Sequence, residues 1–446
     1  HRHHRIHRSH REITFLIMKN TILIYLIILI LGTTLAHGAV IMVSPGQSVQ
    51  AAVDNASSGD TIRISEGVYS ENVSVSAKSI NLIVQPGESV QVNNITANNP
   101  NAMARAVYLK NLRIQGDVNG TSNDFNIHSC NITGDVNVDQ GSLTIIKSTV
   151  GANISINHPN RTSVPTQAQI LQTTIPEKLT CKAGTSIIGY NSIRYAHIEG
   201  NSQIVGNHFN GDGLAGIGID VNGSSSKVKI QNNQIHGYFQ HSASGLSNVC
   251  IGIRVDGQAK ADILNNLIFD CYDLHGGGIN QVGMGIFVSS TSGTSIIGNA
   301  LWGCFKWNPN QSPNNRLVWA PFSNVIFKKN LLWKQKERQV TNHFGGGVQS
   351  IDNIIENNMT AVIFNDLAGG DFTPHPASAL INAGSPLPQY KDRDGSRNDI
   401  GIFGGHNFIP DGKTTNKPIV LGLDIAPIAV PLGGTVTIES TGATAK

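Results

Sequence analysis

In this 446-residue sequence, two groups of side chains have types and spacings that could do chemistry. Asp220, Arg254, Asp256, Asp270 and Asp273 offer four carboxylates and a guanidinium within 54 residues. Clustered carboxylates can share general acid and general base work on a glycosidic bond. The second group is flat: His236, Phe269, Trp302 and Trp333 recur at one spacing, and Phe287 and Trp319 at another. All four Trp, including Trp307, lie between positions 302 and 333. Aromatic faces beside carboxylate and guanidinium groups suit a sugar polymer, whose rings stack while its hydroxyls take hydrogen bonds. The catalytic case is thinner. There is no adjacent Asp pair, no Asn-x-Asp with Gly-His-Gly and no Arg-x-Lys phrase, and His275-Gly276-Gly277-Gly278 has no nucleophile elbow beside it.

These residues are positioned by a repeated eight-residue phrase. It runs Val228-Lys229-Ile230-Gln231-Asn232-Asn233-Gln234-Ile235 and returns at Ala261–Ile268 and Thr294–Leu301. An apolar slot is followed three places later by Asn and two further on by another apolar residue. The first slot is traced through Leu109, Ile127, Ile145, Ile170, Ile188, Ile204, Ile230, Ile263, Ile296, Phe327 and Ile355, at gaps of 16 to 33 residues. Such periods mark a solenoid whose repeats bury their apolar faces only against neighbours. Apolar residues alternate within each phrase, and Gly, Asn, Ser and Asp separate the runs, so the unit is extended. Three short strands and three turns fit the shortest repeats, predicting one coil of a parallel β-helix each.

The Asn slot is read at Asn191, Asn207, Asn233, Asn266, Asn299, Asn330 and Asn358. Asn tolerates the left-handed backbone of a tight turn, and its amide can bond the amide stacked on it. Asp117 and Asp135, in the repeated Gly-Asp-Val phrases, are read as turn formers. A Gly-Ile-x-Val phrase at Gly218, Gly252 and Gly285, with a looser copy at Leu317, should turn Asp220, Arg254, Phe287 and Trp319 outward in one column. His236, Phe269, Trp302 and Trp333 should form a second column, either a binding platform or a secondary core beneath loops. From Asn207 onward the coils lengthen, so each must extrude a loop, where function in a solenoid tends to sit.

Residues 1–17 are rich in His and Arg and read as a non-native upstream segment, with a start at Met18. The apolar run from Thr21 to Leu31, followed by small residues, reads residues 18–38 as a secretory signal peptide, too short to span a membrane. No later segment is apolar enough to span one. Residues 1–38 hold five of the 32 basic and one of the 29 acidic residues, so the remainder carries a net charge of −1. Bulk charge therefore gives no support to nucleic-acid binding. Five cysteines (Cys130, Cys181, Cys250, Cys271, Cys304) show no metal-ligand spacing. Cys271 and Cys304 share one slot in neighbouring coils, where parallel side chains favour two buried thiols over a disulfide.

An amphipathic helix is expected at Val49, Ala52, Val53 and Ala56, followed by Gly59-Asp60-Thr61-Ile62 and Gly67-Val68-Tyr69-Ser70-Glu71. This stretch resembles the opening of right-handed parallel β-helix proteins of the pectate-lyase-like superfamily, secreted bacterial type. Near the other end, Ala379-Leu380-Ile381-Asn382-Ala383-Gly384-Ser385-Pro386 and Asp392-Arg393-Asp394-Gly395-Ser396-Arg397-Asn398-Asp399-Ile400-Gly401 resemble the closing module of many such proteins. The resemblance implies a coil lidded at both ends. Polysaccharide lyases on that fold use carboxylate-bound calcium with an Arg or Lys base. Asp392, Asp394 and Asp399 are candidate calcium ligands, the alternative being a salt-bridged turn with Arg397.

The expectation is an all-β, right-handed parallel β-helix with an N-terminal helical cap. Its divisions are cap and first coils at 39–106, repeats at 107–364, a closing module at 365–411 and a terminal hairpin segment at 412–446. The expected function is a secreted or cell-surface (or periplasmic) protein that binds an extracellular polysaccharide. A polysaccharide lyase or glycoside hydrolase, or a structural or adhesive solenoid, are the alternatives.

Overall fold

The computed structural model describes residues 38–99, 105–157, 166–223, 226–240, 249–273, 282–291, 293–306, 317–333, 344–358, 360–392, 394–405, 419–426 and 437–443. The leader, Trp307, the His275 phrase and the linker at 412–416 lie outside them. One 36-stranded parallel sheet winds through the chain. It is the right-handed parallel β-helix that the sequence leads one to expect, the right hand being the one that parallel crossovers take.

Each coil has three faces, seen plainly in one turn. The third-face strand Gly216–Val221 leads to the first-face strand Lys227–Gln231, and that to the second-face strand Gln234–Gln240. Each pairs with its equivalent in the next coil: Val249–Val255, Lys260–Leu264 and Leu267–Asp273. The apolar slot of the first face is a continuous column of fourteen positions in register, from Ile41 through Ile62 and Leu82 to Phe327 and the exposed Ser350. Burial alternates from Lys227 to Ile230 and from Lys260 to Ile263 as the period of two requires, with Ile230 and Ile263 sealed and Lys229 and Asp262 outward. The last slot corrects the sequence reading. Ser350, not Ile355, follows Phe327, and Ile355 stacks on Leu332 in the second face.

The turn from first to second face is built from two residues with separate duties. The first is left-handed, with φ from +50° to +73° at Asn111, Ser129, Lys147, Gln172, Tyr190, Gly206, Asn232, Asn265, Gly298, Lys329 and Asp352. The second points inward and, from Asn191 on, carries the amide ladder. Asn233 Nδ2 donates to Asn266 Oδ1 (2.9 Å), and Asn266 Nδ2 donates to Asn299 Oδ1 (2.9 Å). The ladder begins where Asn191 Oδ1 accepts from the Thr173 N–H and ends on Asn353, which takes the place expected for Asn358. A second side-chain ladder lines the turn before the third face: Asp117 accepts from the Asp135 N–H and Asp135 from the Asn153 N–H.

The N-terminal helix Val49–Asn55 closes the first coil with Val49 and Val53 buried in the core. Glu71, the last residue of the Gly-x-Tyr-x-Glu phrase, receives bonds from the Ser48 hydroxyl and from the Val49 and Gln50 N–H groups. Those are the unpartnered donors of a helix start. The C-terminal segment closes a flank. Ile363, Phe364, Leu380, Ile400 and Ile402 form a separate core with outward residues of the second face. The left-handed Asn residues anchor it: Asn232 Nδ2 donates to the Ile402 carbonyl (2.8 Å), and Asn265 Nδ2 to the Asp399 carbonyl (2.8 Å). Strands Ile419–Ala426 and Thr437–Ala443 pair antiparallel.

Candidate functional site

The third face carries the outward column expected from Gly-Ile-x-Val. Ile219, Val221, Ile253, Val255, Ile286 and Val288 are sealed inside, and Asp220, Arg254, Phe287 and Trp319 stack in register between them. The glycines of the phrase are sites of close approach: a Cβ on Gly252 would lie 2.7 Å from both the Gly285 carbonyl oxygen and Ile268 Cγ2. The column also runs the other way, through His197 and Thr180 to Ser155, Asn137 and Asn119. That extension escaped sequence reasoning, because those coils lack the Gly-Ile-x-Val phrase. The in-register position before Ile156–Cys181–Ile198 was the available signal.

Asp220 is the centre of an ion network. Arg254 donates to both its oxygens, Nε to Oδ1 at 2.7 Å and Nη2 to Oδ2 at 2.8 Å. His197 Nδ1 lies 2.9 Å from Oδ2, while its Nε2 lies 3.0 Å from Glu199 Oε1, which also meets Lys182 Nζ at 3.1 Å. Burial pushes the Asp220 carboxyl upward, but the bonds from His197 and Arg254 outweigh it and hold the pKa at about 2. The bond to Asp220 raises His197 above its ordinary value, against the opposing effect of burial. Beside the network lies a groove of about 440 Å³ lined by Lys178, Tyr195, His197, Ile217, Asp220 and others. Beyond Arg254 the column turns aromatic. Phe287 and Trp319 are half-buried, their ring centroids 5.6 Å apart at 63°.

The other candidate residues are placed elsewhere. Asp256 accepts from the Gly257 N–H and the Ser289 hydroxyl at a turn. Asp270 is a left-handed residue within a second-face strand, and Asp273 is wholly buried. The carboxylate constellation therefore reduces to Asp220 with Arg254.

His236, Phe269, Trp302 and Trp333 do form a column in register. His236 stacks on Phe269 at 4.6 Å and 3°, and Phe269 on Trp302 at 4.6 Å and 6°. Phe364 and Phe372 of the closing segment pack against these rings. Phe269, Trp302 and Trp333 keep only 8, 2 and 3% exposure. They are core and not a platform, because the closing segment, with its own apolar residues, covers the flank they face. His236 remains half-exposed at the end of the stack, with Nε2 2.7 Å from His208 Nε2.

The carboxylates considered for calcium are engaged by the chain itself. Asp392 accepts from the Asp399 and Gly405 N–H groups, Asp394 from Ser396 and Asp399 from Asn382. Arg397 is not the expected salt-bridge partner; it donates to the Gly384 carbonyl at 3.0 and 2.8 Å. All five cysteines are free, buried thiols; Cys271 and Cys304 donate to the carbonyls of Phe269 and Trp302. No helix among the described residues is long and apolar enough to cross a membrane.

Fold and site together define a parallel β-helix whose third face carries an outward column that passes from charged to aromatic along its axis. No family model and no curated protein matches the chain. Among solved structures, the crystal structure of pectate lyase Pel9A is similar to it, with a TM-score of 0.39 and 16% identity over 83% of this chain and 97% of that one. At that score and identity no residue role transfers, and the fold rests on the strand pairing itself.

Proposed function

We propose that this chain is a secreted carbohydrate-binding β-helix that lays a glycan along its third face. The observation that carries the reading is one unbroken outward column beside a groove, passing from His197, Asp220 and Arg254 to the half-buried rings of Phe287 and Trp319. Charged groups that already satisfy one another present fixed donors and acceptors to hydroxyls, and the rings offer apolar faces to sugar rings. From Asp220 to Trp319 the column spans three coil steps, ~14 Å, enough for about three sugar rings. The apolar run ahead of the fold supports export.

The state of Asp220 favours binding over acid–base chemistry. Both its oxygens are held by Arg254, and at a pKa of about 2 it is neither a proton donor nor a strong base near neutrality. Phe287→Ala/Trp319→Ala should abolish binding on a glycan array while circular dichroism stays unchanged. Retained binding, with the fold intact, would remove the basis for this reading.

A further inference from the structure

A groove larger than the one beside Asp220 lies on another face. It holds about 620 Å³ on the outward side of the first face and crosses five coils, from Gln167–Gln169 to Lys260–Asp262. Gln169, Ile187, Gln203, Lys229 and Asp262 form one row of its floor, in register from coil to coil. Lys227 and Lys260 are directly paired in the neighbouring row. Like charges placed opposite each other in adjacent strands are unfavourable. None of the three exposed lysines forms an ion pair among the described residues. Asp262, the acid in register with Lys229, accepts from the Ser295 hydroxyl.

We propose that this groove is a second binding site, for a glycan carrying sulfate esters. It stands independently of the third-face reading. Lys227 and Lys260 are one coil step apart, ~4.8 Å, and Lys229 is two residues along the same strand face, ~6.6 Å. Three ammonium groups on flexible stems thus converge on a space the size of one anionic substituent. Lysine acts as a point charge with rotatable donors, whereas planar carboxylates are met best by the fork of arginine, as Arg254 meets Asp220. A tetrahedral oxyanion is therefore the better match. Gln169 and Gln203 continue the floor with amide donors and acceptors for sugar hydroxyls, so the chain of the glycan runs along the coil axis with its sulfate at the lysine end.

The test is retention on immobilised dextran sulfate, read by biolayer interferometry, with Lys227→Gln/Lys229→Gln/Lys260→Gln as the variant. The three side chains are exposed, so the variant should keep the wild-type melting temperature. Wild-type binding should weaken as salt is raised, and the variant should bind about tenfold or more weakly at low salt. Unsulfated dextran should not bind, and polygalacturonate should bind at least about tenfold more weakly than dextran sulfate. Phe287→Ala/Trp319→Ala, altered on a different face, should bind dextran sulfate as wild type does, which separates failure here from failure of the third-face reading. Unchanged retention by the lysine variant overturns the proposal. So does equal binding of polygalacturonate, or equal competition by single-stranded DNA, which would make the surface a general polyanion patch.

Discussion

Asn266 is the sharpest place to test what holds the coils in register. Its side chain makes five hydrogen bonds in a site without solvent. Nδ2 donates to Asn299 Oδ1 at 2.9 Å and to the Ile230 and Leu264 carbonyls at 3.0 and 3.1 Å. Oδ1 accepts from the Asn233 N–H and Nδ2 at 3.0 and 2.9 Å. In Asn266→Ala most partners keep another bond. Asn233 Nδ2 retains the Ile204 and Gln231 carbonyls, and Asn299 Oδ1 retains the Asn266 backbone N–H. The Asn233 N–H has only Asn266 Oδ1 and is left buried without an acceptor. One orphaned buried donor costs ~1–3 kcal/mol, and the vacated amide volume adds ~1 kcal/mol, for a total loss of about 2–4 kcal/mol. Urea unfolding followed by tryptophan fluorescence should show a lower midpoint at unchanged slope. Asn353→Ala, at the half-exposed end of the same ladder, should cost less than half as much, since water can reach the groups it uncovers. An unchanged midpoint for Asn266→Ala, or equal losses at the two positions, would refute the ladder argument.

Further expectations concern the flank and the charged groups. Trp302→Ala removes the centre of the second core and should destabilise by ~3–5 kcal/mol in the same assay. Asn232→Ala/Asn265→Ala removes the side-chain anchors of the closing segment, so limited proteolysis should cut within residues 361–405 while the coils stay protected. The Asp220 carboxyl is held low when folded, so its contribution is present above the unfolded value near ~4 and is lost as pH falls to about 2; Asp220→Asn should lose that acid transition from its melting-temperature profile. His236 is held down to about 4 by burial and by the neighbouring His208. Between ~6.5 and about 4 only the unfolded chain takes up that proton, so stability falls with pH there; His236→Phe, which extends the stack on Phe269, should flatten that slope.

The inward positions were legible in the sequence because alternation and the Asn phrase repeat in every long coil. Ten of the eleven apolar slots stack as the spacing implies, and the last fails because the final coil ends its phrase on Ser350-Ile351-Asp352-Asn353-Ile354, where Ser replaces the apolar residue. The two jobs assigned to one Asn belong to two adjacent residues. Only Asn111, Asn232 and Asn265 supply Asn at the left-handed position, and Lys329 or Tyr190 there gives no compositional sign of it. The outward column from Asp220 to Trp319 followed from the period of two. What covers the other column did not, since local patterning says nothing of a segment some 30 to 130 residues away folding back over Phe269, Trp302 and Trp333. The bonds of Asp220 to His197 and Arg254 were hidden for the same reason: the partners are 23 and 34 residues away and joined only by register.

The two-residue turn between first and second faces stays the same length from Lys147-Ser148 to Asp352-Asn353, although the coils it closes differ about twofold in length. All of the growth is placed on the far side of the coil, chiefly between the second and third faces. The turn therefore acts as a fixed pivot, and the opposite corner as a port where sequence can be gained or lost without unthreading the stack. A lineage of such proteins could change its loops one coil at a time, or duplicate a whole 33-residue coil such as the one from Asn233 to Asn266, and keep every rung in phase. The same property makes that corner the place to graft a foreign loop.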